Sequence, residues 1–282
     1  MAIILSYLAY FLTSTISPLV RRFIFTRKNP DSNEQTRLAF EVMLVLTLGS
    51  LIFQFFSPLY FAGNKIYLLF LTLTCGLCGM AYIIMNYTAQ KHIDAGITVV
   101  IINIFTPISI ILSSLFLDER LTLAQVFGTI LLLIALVIIS KKHHLGRLRF
   151  DKYFTMMFLG GILLGILLVA ERALQKQTGL SAATMLSWGT QCFFLGMATL
   201  FLKSQHSYTH KEMFTIGIFN LLSSSSYVVL VYTVGNLSVV SSVTTFLIVT
   251  IFIAAAIFLH EREDLPRKIF GSVLAVIGLL LM

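Results

Sequence analysis

The sequence predicts an all-α integral membrane protein with ten transmembrane helices arranged as two inverted five-helix repeats. Three observations carry that expectation. Hydrophobic residues fill 57% of the 282 positions and charged residues only 11%, with a mean hydropathy of +0.92, against roughly 25% charged in an ordinary soluble domain. So few polar side chains cannot cover a body of this size, and most of its surface must meet lipid. The apolar stretches run about 20 residues, which suits helices spanning hydrocarbon and not the alternating ten-residue strands of a barrel. Finally, the two halves of the chain carry the same residues in the same order.

The spans are read at 2–25, 38–56, 65–87, 94–117, 123–140, 153–172, 181–202, 212–233, 238–259 and 266–282. The first opens with an apolar run, Ala2 to Val20, of signal-peptide length. It lacks a basic leading region and a small-x-small cleavage site, so it is expected to be a retained helix. The second follows the polar stretch Arg27 to Arg37, in which Asn29-Pro30-Asp31 is a turn signal. The third carries Cys75-Gly-Leu-Cys78 with Gly76 and Gly79, a C-x-x-C inside an apolar helix that reads as close helix packing and not as metal or redox chemistry. In the fourth, Asn103 and Thr106 stand beside Pro107, whose missing amide frees a carbonyl one turn back. The fifth ends at the basic stretch Lys141 to Lys152, the natural midpoint. The sixth holds Gly161-Ile-Leu-Leu-Gly165, a spacing that lets two helix backbones approach closely, within the monomer as favoured here or between subunits. In the seventh, Trp188 and Gln191 share a helical face, as an aromatic wall with an amide beside it or as an interface anchor. The eighth brings Asn220, the run Ser223 to Ser226 and Tyr227, and the ninth Thr244 and Thr245. The tenth, 266–282, carries Phe270-Gly271-Ser272 ahead of the apolar run Val273-Leu-Ala-Val-Ile-Gly278. Short connections leave no room for an extramembrane domain, so any chemistry must sit within the helices.

Residues 1–141 and 153–282 match as two copies joined by a basic linker, 142–152. In the first, Tyr82-Ile-Ile-Met-Asn-Tyr87-Thr88 leads to Leu117-Asp-Glu119-Arg120 and then to Phe127-Gly128-Thr129. In the second, Tyr227-Val-Val-Leu-Val-Tyr232-Thr233 leads to Leu259-His-Glu261-Arg262 and then to Phe270-Gly271-Ser272. An odd number of spans per copy makes the second begin on the opposite side of the membrane from the first, so the repeats are inverted, as in many carriers.

Five spans twice over, with Leu-x-Glu-Arg between the fourth and fifth, resemble the drug/metabolite transporter superfamily, in particular its ten-helix EamA-like members. Pro107, twelve residues before Glu119, and the glycine of Phe127-Gly128 are similar to a proline and a glycine of that family. Arg22 and Arg172, each near the end of the first span of its half, resemble a recurrent family arginine. The second copy departs at Val249, and Glu41 stands where such members often carry arginine. The resemblance implies a secondary transporter that moves a small metabolite, amino acid or drug-like solute by alternating access through a central cavity between the repeats. It also implies termini in the cytoplasm.

Polar groups near the middle of apolar spans are the candidates for the solute path, because lipid cannot solvate them. Tyr82, Asn86, Asn103 and Pro107 come from the first half, and Trp188, Asn220, Tyr227, Thr244 and Thr245 from the second. Each could instead bond a neighbouring helix or its own preceding turn, at about 0.6 kcal/mol per contact. Glu41 is a candidate for proton coupling, although Arg37 four residues back offers an interfacial ion pair, and Glu171-Arg172 reads in the same way. Glu119-Arg120 and Glu261-Arg262 read as structural caps at tight turns.

The net charge of +8 does not point to nucleic acid, since the 20 Lys and Arg cluster between apolar runs without interleaved aromatics. Their distribution favours the odd-numbered connections, which by the positive-inside rule puts both termini outside, opposite to what the resemblance implies. Three cysteines have no disulfide spacing, and six histidines lie at span ends or in connections. The chain has no H-E-x-x-H, G-x-S-x-G or paired acidic cluster, so neither catalytic residues, metal nor cofactor are expected. A non-transporting membrane partner or a lipid flippase on the same scaffold stays open beside the carrier, with an intramembrane transferase further behind. The expected partners are a small-molecule solute and membrane lipid, with the chain a monomer or homodimer in a bacterial inner (plasma) membrane.

Overall fold

An amide without a partner costs several kcal/mol in hydrocarbon, so a chain this apolar has to pair its backbone locally. The computed structural model describes residues 2–28, 31–61, 63–116, 123–140, 152–202, 208–235, 237, 240, 247–259 and 265–281, and among them the regular structure is helical throughout. The elements are α1 (Ala2–Lys28), α2 (Ser32–Ser50, continued by a 3-10 turn Leu51–Phe55), α3 (Lys65–Gln90), α4 (Ala95–Ile102), α5 (Phe105–Phe116), α6 (Leu123–Ser140), α7 (Lys152–Leu200), α8 (His210–Val234), α9 (Leu247–Phe258) and α10 (Leu265–Leu281). Glu119, Arg120, Glu261, Arg262, Thr244, Thr245 and nearly all of the basic linker lie outside the described residues.

Sequence fixes the helix starts through reciprocal caps. Asp31 accepts the Glu34 amide at 2.7 Å while Glu34 accepts the Asp31 amide at 3.0 Å, so α2 begins six residues ahead of the apolar run. Thr209 and Glu212 repeat the arrangement at the start of α8. Elsewhere the helices break inside expected spans. The fourth span divides at Asn103 and Ile104 into α4 and α5. Pro107 has no amide to offer the Asn103 carbonyl, which is met instead by the Thr106 amide at 3.0 Å. The sixth and seventh spans are the two helical limbs of α7, and residues 173–178, expected as part of a connection, instead continue the first limb.

Within α7 the turn is made at Gly179, whose φ of 77° and ψ of −177° lie outside helical space. The Ser187 side chain lies beside the Glu171 carboxylate, and Glu171 lines the same hollow as Trp188 and Gln191. Sixteen residues of straight helix would hold those groups roughly 24 Å apart, so α7 folds back into two limbs. Both limbs pack on α3. The second does so through Gly76 and Gly79, which sit against Phe194 and Gln191, in keeping with a packing role for the Cys75–Cys78 segment. The first limb also packs on α5, α1 packs on α8, α2 lies between α7 and α8, and α6 pairs with α10.

Large apolar side chains face outward, among them Leu12, Leu48, Phe55, Phe70, Phe201 and Phe258. That surface suits lipid and not water. Among the described residues, five helices, Ser32–Phe55, Lys65–Gln90, Ile97–Phe116, Lys152–Leu200 and His210–Val234, are long and apolar enough to cross a membrane. Polar residues collect on the inside, where Asn86, Gln90, Asn103, Glu171, Gln175 and Gln191 are all buried.

Gly161 and Gly165 make the intramolecular approach that their spacing predicts. A side chain at Gly161 would run into Ile104 and lie 2.9 Å from the Ile102 carbonyl oxygen, and one at Gly165 would lie 3.0 Å from that of Phe105. Gly161→Leu should therefore destabilise the fold by about 1–3 kcal/mol, the usual cost of overpacking. Thermal unfolding in detergent measures this. Gly189→Ala is the control, since nothing lies within 4 Å of a carbon added there, and its unfolding temperature should not fall.

Candidate functional site

Inward-facing polar and apolar residues line a chamber of about 240 Å³ between α1, α2, α3, α5, both limbs of α7, and α8. A second lobe of about 210 Å³ shares Tyr10, Arg21, Tyr82, Asn86, Asn220 and Ser223 as walls and extends toward α4 and α9. The first lobe falls just below the ~300–1,000 Å³ of pockets that hold drug-sized ligands, so it suits a small solute.

A hydrogen-bonded chain from three helices braces one side. Ser17 of α1 donates to Asn220 Oδ1 of α8 at 2.8 Å, and Asn220 Nδ2 donates to the Tyr87 hydroxyl of α3 at 2.7 Å. Ser14 and Ser223 join the same helices at 2.6 Å. Over the Tyr87 ring lies the guanidinium of Arg21, its Cζ 4.6 Å from the ring centre, and Arg21 Nε donates to Gln90 Oε1. Asn86 Nδ2 donates to the Tyr82 hydroxyl at 3.0 Å, while Asn86 Oδ1 is buried without a partner. On the opposite wall, Gln191 Nε2 donates to Ser187 Oγ at 3.0 Å, with Glu171 beside Ser187.

Of the residues singled out by sequence, Tyr82, Asn86, Trp188, Asn220 and Tyr227 line the first lobe and Asn103 the second. Trp188 is buried with its ring edge-on to Phe53, and it shares the chamber wall with Gln191. Pro107 is buried on α5, two residues beyond the lining Phe105, where it shapes the break at Asn103. Thr244 and Thr245 lie outside the described residues. Glu41 stands apart from the chamber, 3.6 Å from Arg37, and borders a separate hollow with His210 and Lys211.

Sequence reading left out the two buried charges of the chamber as binding residues. Arg21 was legible as a cation in an apolar span, the signal that marks functional residues in membranes. Glu171 was masked by Arg172 beside it. The Arg172 guanidinium turns the other way, donating to the Gly235 carbonyl at the end of α8 and to Gln175 Oε1 at 3.3 Å. Glu171 points inward, 6% exposed, and its Oε1 has no hydrogen-bond partner.

Asn220→Ala would strip partners from both Tyr87 and Ser17. It should cost about 0.6–1.7 kcal/mol, the range measured for hydrogen bonds between membrane helices. A lowered unfolding temperature in detergent is the expected reading, and an unchanged one would deny the brace its part in stability.

Comparison with known proteins agrees with this architecture. The chain is 26% identical over 220 residues to a protein of Streptantibioticus cattleyicolor described as "Probable terminal-alkyne amino-acid exporter", covering 74% of this chain and 71% of that one. One solved crystal structure shares its fold at a TM-score of 0.62, with 12% identity, over 97% of this chain and 95% of the other. The model of the EamA-like transporter family matches residues 1–141. The chain, a multi-pass integral membrane transporter, belongs to the EamA-like transporter family.

Proposed function

We propose that this protein is a secondary transporter moving an amino acid, or a metabolite of similar size, by alternating access through the chamber. Ten spans form two inverted five-helix repeats, 1–141 and 153–282, joined by the basic linker 142–152. The observation that carries the proposal is the chamber itself, a hollow lined from both halves by apolar side chains and a set of buried polar ones, inside a lipid-facing shell. A non-transporting scaffold has no use for such a space, and side chains would be expected to fill it. Tyr82, Asn86, Asn103, Trp188, Asn220 and Tyr227 are the solute contacts in this reading. Pro107 is the hinge of α4 and α5, and Thr244 and Thr245 extend the lining from the ninth span. Similarity to the Streptantibioticus cattleyicolor protein described as a probable terminal-alkyne amino-acid exporter supports the choice of solute, and the bacterial source of that relative supports an inner-membrane location.

Two equivalent contacts support the duplication. Arg22 of α1 donates to the Gln90 carbonyl at the end of α3, and Arg172 of α7 donates to the Gly235 carbonyl at the end of α8. Gln90 and Gly235 each fall eight residues after the matched tyrosines Tyr82 and Tyr227. An arginine at a helix C-terminus meets carbonyls that the helix itself leaves unpaired. The packing of α1 on α8 and of the first limb of α7 on α3 supports the same exchange of equivalent helices.

Vesicles containing the purified protein and preloaded with an amino-acid mixture should take up labelled amino acid by exchange. Absence of flux for amino acids, nucleosides and organic cations alike would contradict the carrier. Ten spans also put both termini on one face. Protease added to sealed vesicles should therefore remove N- and C-terminal tags together, and removal of one without the other would contradict the span count.

A further inference from the structure

Two charges enter the chamber from different halves of the chain, Arg21 of α1 and Glu171 of the first limb of α7, and both are more than nine-tenths buried. Leaving either without a counterpart in a low-dielectric interior is costly. Their fixings are partial. Arg21 is anchored through Nε on Gln90 and lies over the Tyr87 ring, which leaves its Nη1–Nη2 edge as the one able to meet a carboxylate with two parallel N–H bonds. Glu171 lies beside Ser187, and its Oε1 is buried with no hydrogen-bond partner. That oxygen can only accept, so its complement is an N–H donor. Asn86 Oδ1, also buried without a partner in the same chamber, asks for a donor as well. Val42, Met43 and Leu46 supply an apolar wall.

We propose that Arg21 and Glu171 select the solute by charge at both ends, Arg21 holding a carboxylate and Glu171 an ammonium group, so that the chamber takes zwitterions with an apolar remainder. The assignment rests on the carrier reading for its transport meaning, but it concerns binding and is tested as binding. A solute lacking the ammonium leaves Glu171 bare, and one lacking the carboxylate leaves Arg21 without its counter-ion. In both cases the unmet group stays in the chamber, and that penalty is what makes the selection sharp.

The test compares L-leucine with N-acetyl-L-leucine, which keeps only the carboxylate, and with L-leucinamide, which keeps only the amine. The readout is thermal unfolding of the purified full chain, with uptake into vesicles beside it. The wild-type protein should bind L-leucine about tenfold or more tightly than either analogue, as expected from one lost charge-assisted bond. Glu171→Gln should erase the preference over N-acetyl-L-leucine and keep that over L-leucinamide, and Arg21→Gln should do the reverse. Wild-type protein that binds N-acetyl-L-leucine or L-leucinamide as tightly as L-leucine overturns the proposal without needing a folded variant. So does Glu171→Gln retaining the full wild-type preference. Flux of either analogue without flux of L-leucine overturns the charge selection and leaves the carrier standing. Selective L-leucine binding without flux of any solute supports the selection and removes the carrier.

Discussion

Hydrocarbon offers no hydrogen bonds, and that single deficit organises the molecule. Polar side chains placed in apolar helices have to find partners within the protein, so they turn inward and meet one another. Ser17, Asn220, Tyr87, Arg21 and Gln90 form one such chain, linking α1, α8 and α3. Because the partners come from helices distant in sequence, the same contacts that satisfy them also fix which helices are neighbours. The chamber forms where these groups converge but do not close on one another.

The irregular backbone follows the same logic. A helix break at membrane depth is tolerated where it is buried in protein or lines a cavity. The break at Asn103 meets both conditions, with Asn103 in the wall of the second lobe and its Nδ2 donating to the Val99 carbonyl at 2.6 Å. The glycine face of α7 presses on the carbonyls around that break, so a rigid limb supports a divided one. Gly179 plays a different part, since it lets two long apolar limbs fold back on each other where a conventional loop would need its own polar cover.

Much of this was legible in the residues. Apolar length predicted the helical class, the Gly161 and Gly165 spacing predicted a close approach, and the midspan Tyr82, Asn86, Asn103, Trp188, Asn220 and Tyr227 all reach the chamber. Charges were harder to read. A carboxylate next to an arginine, as in Glu171-Arg172, looks like a local pair, yet adjacent residues on a helix project about 100° apart and serve different surroundings. Arg172 goes to the end of α8 while Glu171 goes to the chamber. Glu41, four residues from Arg37, shows the converse, because that spacing does bring side chains together, and they meet at 3.6 Å. The tightness of the turn between the limbs of α7 was also beyond reach, since one glycine with a positive φ leaves no trace in hydropathy.

If the chamber is the solute's route, its lining must be reachable in turn from each side of the membrane. Ser224 lines both lobes, so a single cysteine at that position, in a chain with Cys75, Cys78 and Cys192 replaced, reports on that access through a membrane-impermeant thiol reagent added to either face of sealed, oriented vesicles. Labelling from both faces is the predicted result. Protection from both faces, or labelling from one face alone under every condition, would contradict a chamber that opens alternately.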